Sequence, residues 1–242
     1  MAHPPDLSLV MPCYNEARSV ERTVGDLTGA FARTGHRLQL VAVDNGSTDD
    51  TRRRLEALAA TDPAVECVVV ERNQGYGFGF LSGLPRCLAP WAGIVHADGQ
   101  VDAQDVVRLY EAAIAAGGPA VAKVRRRSRM DGVWRGVVST VYNVVVRMMW
   151  PRIGTADVNG TPRILPREAL QAMHLRSRGW MLDSELMVKA QYMGLPVLEI
   201  EVLARPRSSG RSHVRMTTSL EVLASLVAAR ITQRWKRDLH PQ

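Results

Sequence analysis

Short apolar runs and spaced apolar stripes take turns along the first half of the chain. Leu7 to Met11 is a run with the character of a buried strand, and "CYNEARSVERTVGDLTGAFARTG" after it has helical spacing that ends at Gly35. "LQLVAVDNGSTDDT" reads as an apolar strand running into a polar turn, with a helix following from about Asp50 to Ala60. "VECVVVER" repeats the strand signal, "NQGYGFGFLSGLPRCL" reads as a glycine-rich turn leading into a helix, and "WAGIVHADGQ" is again strand into polar turn. Asp102 to Ala116 have helical spacing, and "PAVAKV" is a further strand.

Strands alternating with helices predict an α/β domain with a mostly parallel, buried sheet. In such sheets ligands bind at the carboxyl ends of the strands, near a switch in strand order. Three polar turns then fall on one edge: Pro12 to Glu16, Asp44 to Asp49, and His96 to Gln100. After Lys123 the pattern changes. "VRRRSRMDGVWRGVVSTVYNVVVRMMWP" joins a basic run to an amphipathic segment, and "SLEVLASLVAARITQRWKRD" carries an apolar stripe with a basic end. Each is readable as a helix on the core or as one lying in a membrane interface. The chain divides at this level into a main unit, 1–215, and a C-terminal amphipathic basic helix or tail, 216–242.

A hydrophobic content of 46% over 242 residues supplies a real core. Three cysteines without CxxC spacing indicate neither a disulfide framework nor a zinc knuckle, which fits a reducing cytoplasm. There is no export leader and no run of about 18 apolar residues, so a soluble or peripheral protein is expected. The net charge of +7 implies attraction to polyanions: nucleic acid, an anionic membrane face or phosphorylated substrates. Nucleic acid is disfavoured, because no aromatic residues interleave with the basic runs and no binding motif is present.

Taken singly, the turns are weak signals. Asp44, Asn45, Ser47 and Asp49 are types that end strands and cap helices. A carboxylate at a strand end also accepts a nucleobase N–H or a ribose hydroxyl. Asp98 and Gln100 are able to offer oxygen ligands to a hard cation such as Mg²⁺ or Mn²⁺, which in turn holds a diphosphate.

The order of the motifs is more specific. "VMPCYNEARSVERTV", "VDNGSTDDT", "ERNQGYGFGFLSG", "HADGQVDAQDV", "DVNGTPRILPREAL", "GWMLDSELMVKAQYMGLPVLEIEV" and "RPRSSGRSH" occur in the order seen in family 2 glycosyltransferases. The chain resembles their polyprenyl-phosphate sugar transferase branch, typified by dolichol-phosphate mannose synthase, over roughly residues 7 to 215. The resemblance implies a Rossmann-like GT-A fold and transfer of a hexose from a nucleotide diphosphate sugar, of the GDP-mannose or UDP-glucose type, to a lipid phosphate. By position, Pro12, Tyr14, Glu16, Val43, Asp44 and Asn45 match nucleoside-contacting residues. Ala97, Asp98 and Gln100 match the part of the acidic signature that meets diphosphate and cation. Arg125, or a neighbour in the same run, and Arg135 match phosphate-gathering residues, and Arg207, Gly210 and Ser212 match a loop that folds over the site.

Two departures stand out. Asn45 occupies a position that is usually acidic, so it brings an amide oxygen but no charge. His96 stands where the acidic signature usually begins with Asp; its imidazole either ligates Mn²⁺ or hydrogen-bonds a neighbouring turn.

A phosphate acceptor is already a nucleophilic oxyanion near neutral pH, whereas a hydroxyl acceptor needs a carboxylate base. "LDSE" supplies Asp183 and Glu185 for that role, or else for orienting the closing loop and its arginines. A lipid acceptor would be met through Val137 to Trp150 and the last helix, on an anionic membrane surface or beside a membrane subunit. The alternatives are a soluble hydroxyl acceptor, and a non-catalytic protein that binds nucleotide sugar or nucleic acid.

Overall fold

The computed structural model describes residues 3–126, 133–203 and 216–239, without the side chains of 133–139 and 216–223. Among these residues, seven strands form one sheet in the order β3-β2-β1-β4-β6-β5-β7. They are β1 (Leu7–Cys13), β2 (Leu38–Asn45), β3 (Val65–Val70), β4 (Trp91–Ile94), β5 (Val121–Arg126), β6 (Arg163–Pro166) and β7 (Val197–Val202). β1 pairs in parallel with β2 and β4, β2 with β3, and β5 with β7. β6 alone runs antiparallel, between β4 and β5.

The strands are apolar on both faces, as a sheet covered on both sides requires. Leu7, Leu9, Met11, Leu40 and Ala42 enter the core beneath α1 (Val20–Ala32), α2 (Thr51–Thr61) and α4 (Ala103–Ala115). The intervening Val10, Val41 and Val43 enter a second core with α3 (Tyr76–Gly83), α5 (Val133–Met149), α6 (Arg167–Ala172) and α7 (Met181–Tyr192). This period of two is the pleat of a strand buried on both sides.

The C-terminal segment forms α8 (Met216–Ile231) and α9 (Arg234–Arg237). Leu226, Ala229 and Trp235 are buried in the second core, and the Trp235 ring lies 5.5 Å from that of Trp150. α1 begins at Val20, seven residues beyond Cys13, because β1 continues to Cys13, the chain bends at Tyr14 and Asn15, and Ala17–Ser19 form a turn closed by Ser19 N–H donating to Glu16 O. Asn15 takes a left-handed conformation there, with φ 57°.

Strand order reverses between β1 and β4, the place where this class of sheet opens a ligand crevice. The carboxyl ends of β1, β2 and β4 therefore deliver the three polar turns to one edge.

Candidate functional site

The first two turns are stitched together. Asn15 N–H donates to Ser47 Oγ (3.1 Å), Thr48 N–H to Asn15 Oδ1 (2.8 Å) and Glu16 N–H to Thr51 Oγ1 (2.8 Å). Asp44 is buried and accepts the Ser47 N–H at 3.2 Å, the bond expected of a turn-forming aspartate. Pro12, Tyr14 and Glu16 are half-buried along the same edge. The Val43 side chain is in the core, so only its backbone is available to a ligand.

Asn45 is buried, and its amide donates to Gly75 O at 3.0 Å. That acceptor fixes which end of the amide is nitrogen. The Asn45 Oδ1 left over is a buried acceptor without a protein partner. A buried lone acceptor is costly unless something fills it.

α3 is held close to this edge by glycine. A Cβ at Gly77 would lie 2.3 Å from Ser177 O, and one at Gly75 (φ +106°) 2.5 Å from Arg178 O. The backbone of residues 177–179 thus passes directly over the start of α3, where Phe78 N–H donates to Arg178 O at 2.8 Å.

The third turn carries His96, Ala97, Asp98 and Gln100. Ala97 is buried, and its carbonyl accepts from Thr23 Oγ1 at 3.0 Å. Asp98 is buried, and its Oδ1 accepts the Gln100 N–H at 3.1 Å. His96 Nε2 lies 3.2 Å from the Tyr76 hydroxyl, so the ring bonds the neighbouring α3 turn. Burial lowers the His96 pKa, against the opposing pull of Asp98 and Asp183. His96, Asp98, Gln100, Thr161 and Arg126 line one cleft, closed on its far side by α1.

Of the two arginines that end β5, Arg126 and not Arg125 lines that cleft, and Arg22 of α1 lines it from the opposite wall. Strand alternation sends Arg125 outward to Glu201 (3.8 Å), whereas Arg126 turns inward. Asp157 grips the Arg126 guanidinium at two points, 3.1 and 3.2 Å, and Asn159 O adds a third at 3.2 Å. Lys123, fully buried, holds this loop from the other face of β5 by donating to Asp157 O and to Thr155 Oγ1. Burial lowers its pKa to about 8. Arg126 is a neighbour of Arg125 in the basic run named from the sequence, and the alternation of β5 is the signal that separates the two; Lys123 carries no such signal.

Asp183 and Glu185 sit on α7, buried from Leu182 to Ala190. Asp183 accepts from Arg163 Nη1 at 2.6 Å, and Arg163 also donates to Val158 O. Glu185 accepts Arg176 N–H (3.1 Å), Ser177 N–H (2.7 Å) and Lys189 Nζ (2.6 Å). Buried charges need such pairing. Both carboxylates thus accept from protein donors, and Glu185 ties down the backbone of residues 176 and 177. The Arg135 side chain, Arg207, Gly210 and Ser212 lie outside the described residues.

Among the described residues, no three His, Cys, Asp or Glu side chains gather into a metal cage. Asp98 and Gln100 both line the cleft and carry oxygens of the type that hard cations take.

The sheet, its switch point and this edge define a GT-A glycosyltransferase architecture. The glycosyl transferase family 2 profile matches residues 8–173, and the chain belongs to that family. It is 30% identical over 225 residues to an uncharacterized glycosyltransferase of Mycobacterium tuberculosis (strain ATCC 25618 / H37Rv), spanning 91% of this chain and 94% of that one. It is 28% identical over 233 residues to an undecaprenyl-phosphate 4-deoxy-4-formamido-L-arabinose transferase of Pseudomonas aeruginosa (strain UCBPP-PA14), spanning 95% of this chain and 67% of that one. The fold matches glucosyl-3-phosphoglycerate synthase from Mycobacterium tuberculosis, solved with Mn²⁺, UDP and phosphoglyceric acid. The TM-score is 0.73 at 19% identity, over 96% of this chain and 78% of that one.

Proposed function

We propose that the protein is a metal-dependent, inverting hexosyltransferase that moves a hexose from a nucleoside diphosphate sugar to a polyprenyl phosphate. One observation carries the choice of acceptor: the two carboxylates available as bases, Asp183 and Glu185, are buried and bound to Arg163, Lys189 and backbone amides. A hydroxyl acceptor needs a base to take its proton; a phosphate oxyanion arrives without one to lose. The undecaprenyl-phosphate transferase relatives support the same acceptor class.

The donor's base and ribose would lie along Pro12, Tyr14, Glu16, Asp44 and Asn45, with the lone Asn45 Oδ1 able to accept a base N–H. The diphosphate would lie at Asp98 and Gln100, and Arg126 would draw the phosphates into the cleft. A divalent cation bound there with Asp98 and Gln100 supplies charge neutralisation to the leaving diphosphate. The protein's remaining task is alignment and charge stabilisation. The acceptor oxygen attacks the anomeric carbon opposite the leaving group, so the sugar centre inverts.

The apolar exterior supports a lipid acceptor. Val141, Val144 and Met148 form an exposed stripe on α5, and Val227 and Ile231 one on α8. The stripes meet where Arg230 Nε donates to Met149 O at 3.0 Å, next to Met148 and Ile231, each 76% exposed. Exposed Arg147, Arg152, Arg230, Arg234, Lys236 and Arg237 flank them. Such a surface suits an anionic bilayer face. Among the described residues, no helix is long and apolar enough to cross a membrane.

A thermal-shift screen tests the donor half: UDP, GDP and their hexose conjugates with Mg²⁺, Mn²⁺ or EDTA, on wild type and Asp98→Asn. The expected result is stabilisation by one diphosphate that needs metal and is lost in the variant. Transfer of radiolabelled hexose to undecaprenyl phosphate in anionic vesicles tests the acceptor half. A soluble phosphorylated acceptor is the second reading, raised by the fold likeness to a synthase bound to phosphoglyceric acid. Transfer to 3-phosphoglycerate and none to the lipid would favour it.

A further inference from the structure

Trp180 is a large aromatic residue left 37% exposed in the helix-entry turn before α7. Its ring stacks on Tyr76 with centroids 5.1 Å apart and planes 15° from parallel. Tyr76 in turn meets the His96 ring edge-on at 5.4 Å, and its hydroxyl lies 3.2 Å from His96 Nε2. His96 is two residues from Asp98, and both line the cleft. Burial raises the Tyr76 pKa well above its usual value, with the Asp183 carboxylate adding to the effect, so the phenol stays protonated and able to donate.

The stack is rigidly mounted. Glu185 binds the Arg176 and Ser177 amides, and the Phe78 amide binds Arg178 O, so both ends of the loop before Trp180 are tied. The glycines at 75 and 77 permit that approach. Tyr76 covers one face of the indole, so the exposure falls on the other face and the edges. A fixed, flat, apolar surface beside a polar cleft is the complement of a pyranose ring, which presents C–H groups on one face and hydroxyls at its rim.

We infer that Trp180, backed by Tyr76, is the wall on which the hexose of the donor packs. This rests on the reading above that Asp98 marks the diphosphate, because the sugar is the next group along the donor. The wall then recognises the ring and leaves hydroxyl identity to polar neighbours.

The test is isothermal titration of wild type, Trp180→Ala and Trp180→Phe, in Mn²⁺, with UDP, GDP, UDP-glucose and GDP-mannose. Trp180→Ala should bind the preferred nucleoside diphosphate within about twofold of wild type and its sugar conjugate about tenfold more weakly, with Trp180→Phe recovering most of the loss. An unchanged ratio of sugar-conjugate to diphosphate affinity in Trp180→Ala overturns the assignment while leaving the donor site intact. Should wild type bind no nucleoside diphosphate, both this inference and the proposed function fall. Saturation-transfer NMR on wild type guards against a misfolded variant. Irradiating aromatic protons should saturate the pyranose ring protons of the bound conjugate, and their absence from the difference spectrum refutes the wall.

Discussion

Glu185→Ala separates a structural carboxylate from a catalytic one. The side chains of Glu185 and Lys189 are 1% and 0% exposed, and their contact is 2.6 Å. Truncation strips Lys189 of that partner, leaving His174 O at 3.0 Å and the more distant Asp238 at 3.5 Å, and leaves the Arg176 and Ser177 amides without their acceptor. Breaking a buried pair on one side costs about 3–5 kcal/mol. For a chain of this size each kcal/mol moves Tm by about 2–4 °C, so a fall of about 6–20 °C is expected. Thermal unfolding followed by circular dichroism reads it. Lys189→Met in the Glu185→Ala background should recover part of the loss, since no charge is then buried alone. A structural role for Glu185 is ruled out if Glu185→Ala melts within about 2 °C of wild type while turnover falls about a thousandfold. Glu185 would then act chemically, and a hydroxyl acceptor would displace the phosphate.

Gly77→Ala places a methyl 2.3 Å from Ser177 O, so it should destabilise by about 1–3 kcal/mol in denaturant titration. Gly25→Ala, on an exposed position of α1 with nothing within 4 Å, should stabilise by about 1 kcal/mol in the same assay. Because burial holds the folded His96 pKa below its usual 6.5, protonation favours the unfolded chain, and stability should drop as pH falls below 6.5. A Tm-versus-pH series should show a shallower acid limb in His96→Gln. Arg126→Met should raise the donor KM about tenfold in steady-state assays, whereas Arg125→Met, on the outward face beside Glu201, should leave it unchanged.

The first five strands and the three polar turns were legible because a short apolar run that ends in turn-forming polar residues is a local property. Any seven or eight residues such as "LQLVAVDN" carry it, and the rule that ligands meet strand carboxyl ends then placed Asp44 and Asp98 on one edge. β6 was not legible. Its four residues, Arg163–Pro166, are too few to show a period, and its antiparallel place between β4 and β5 is set by pairing with strands tens of residues away.

The roles of charged residues depended still more on the tertiary structure. Asp183 and Glu185 read from sequence as base or loop-orienting residues. Arg163 on β6, Lys189 one helical turn on, and the amides of residues 176 and 177 commit them to structure. Arg125 and Arg126 are neighbours in a basic run, and only the phase of β5 in the sheet decides which one enters the cleft. Trp180 shows the same division, since Tyr76 lies about a hundred residues earlier and no local pattern announces the stack. Periodicity tells where a chain buries its apolar face, since that choice is made residue by residue against water. Which charge meets which, and which aromatic rings stack, is decided by contacts between segments distant in the chain, and these exist only once the sheet has assembled.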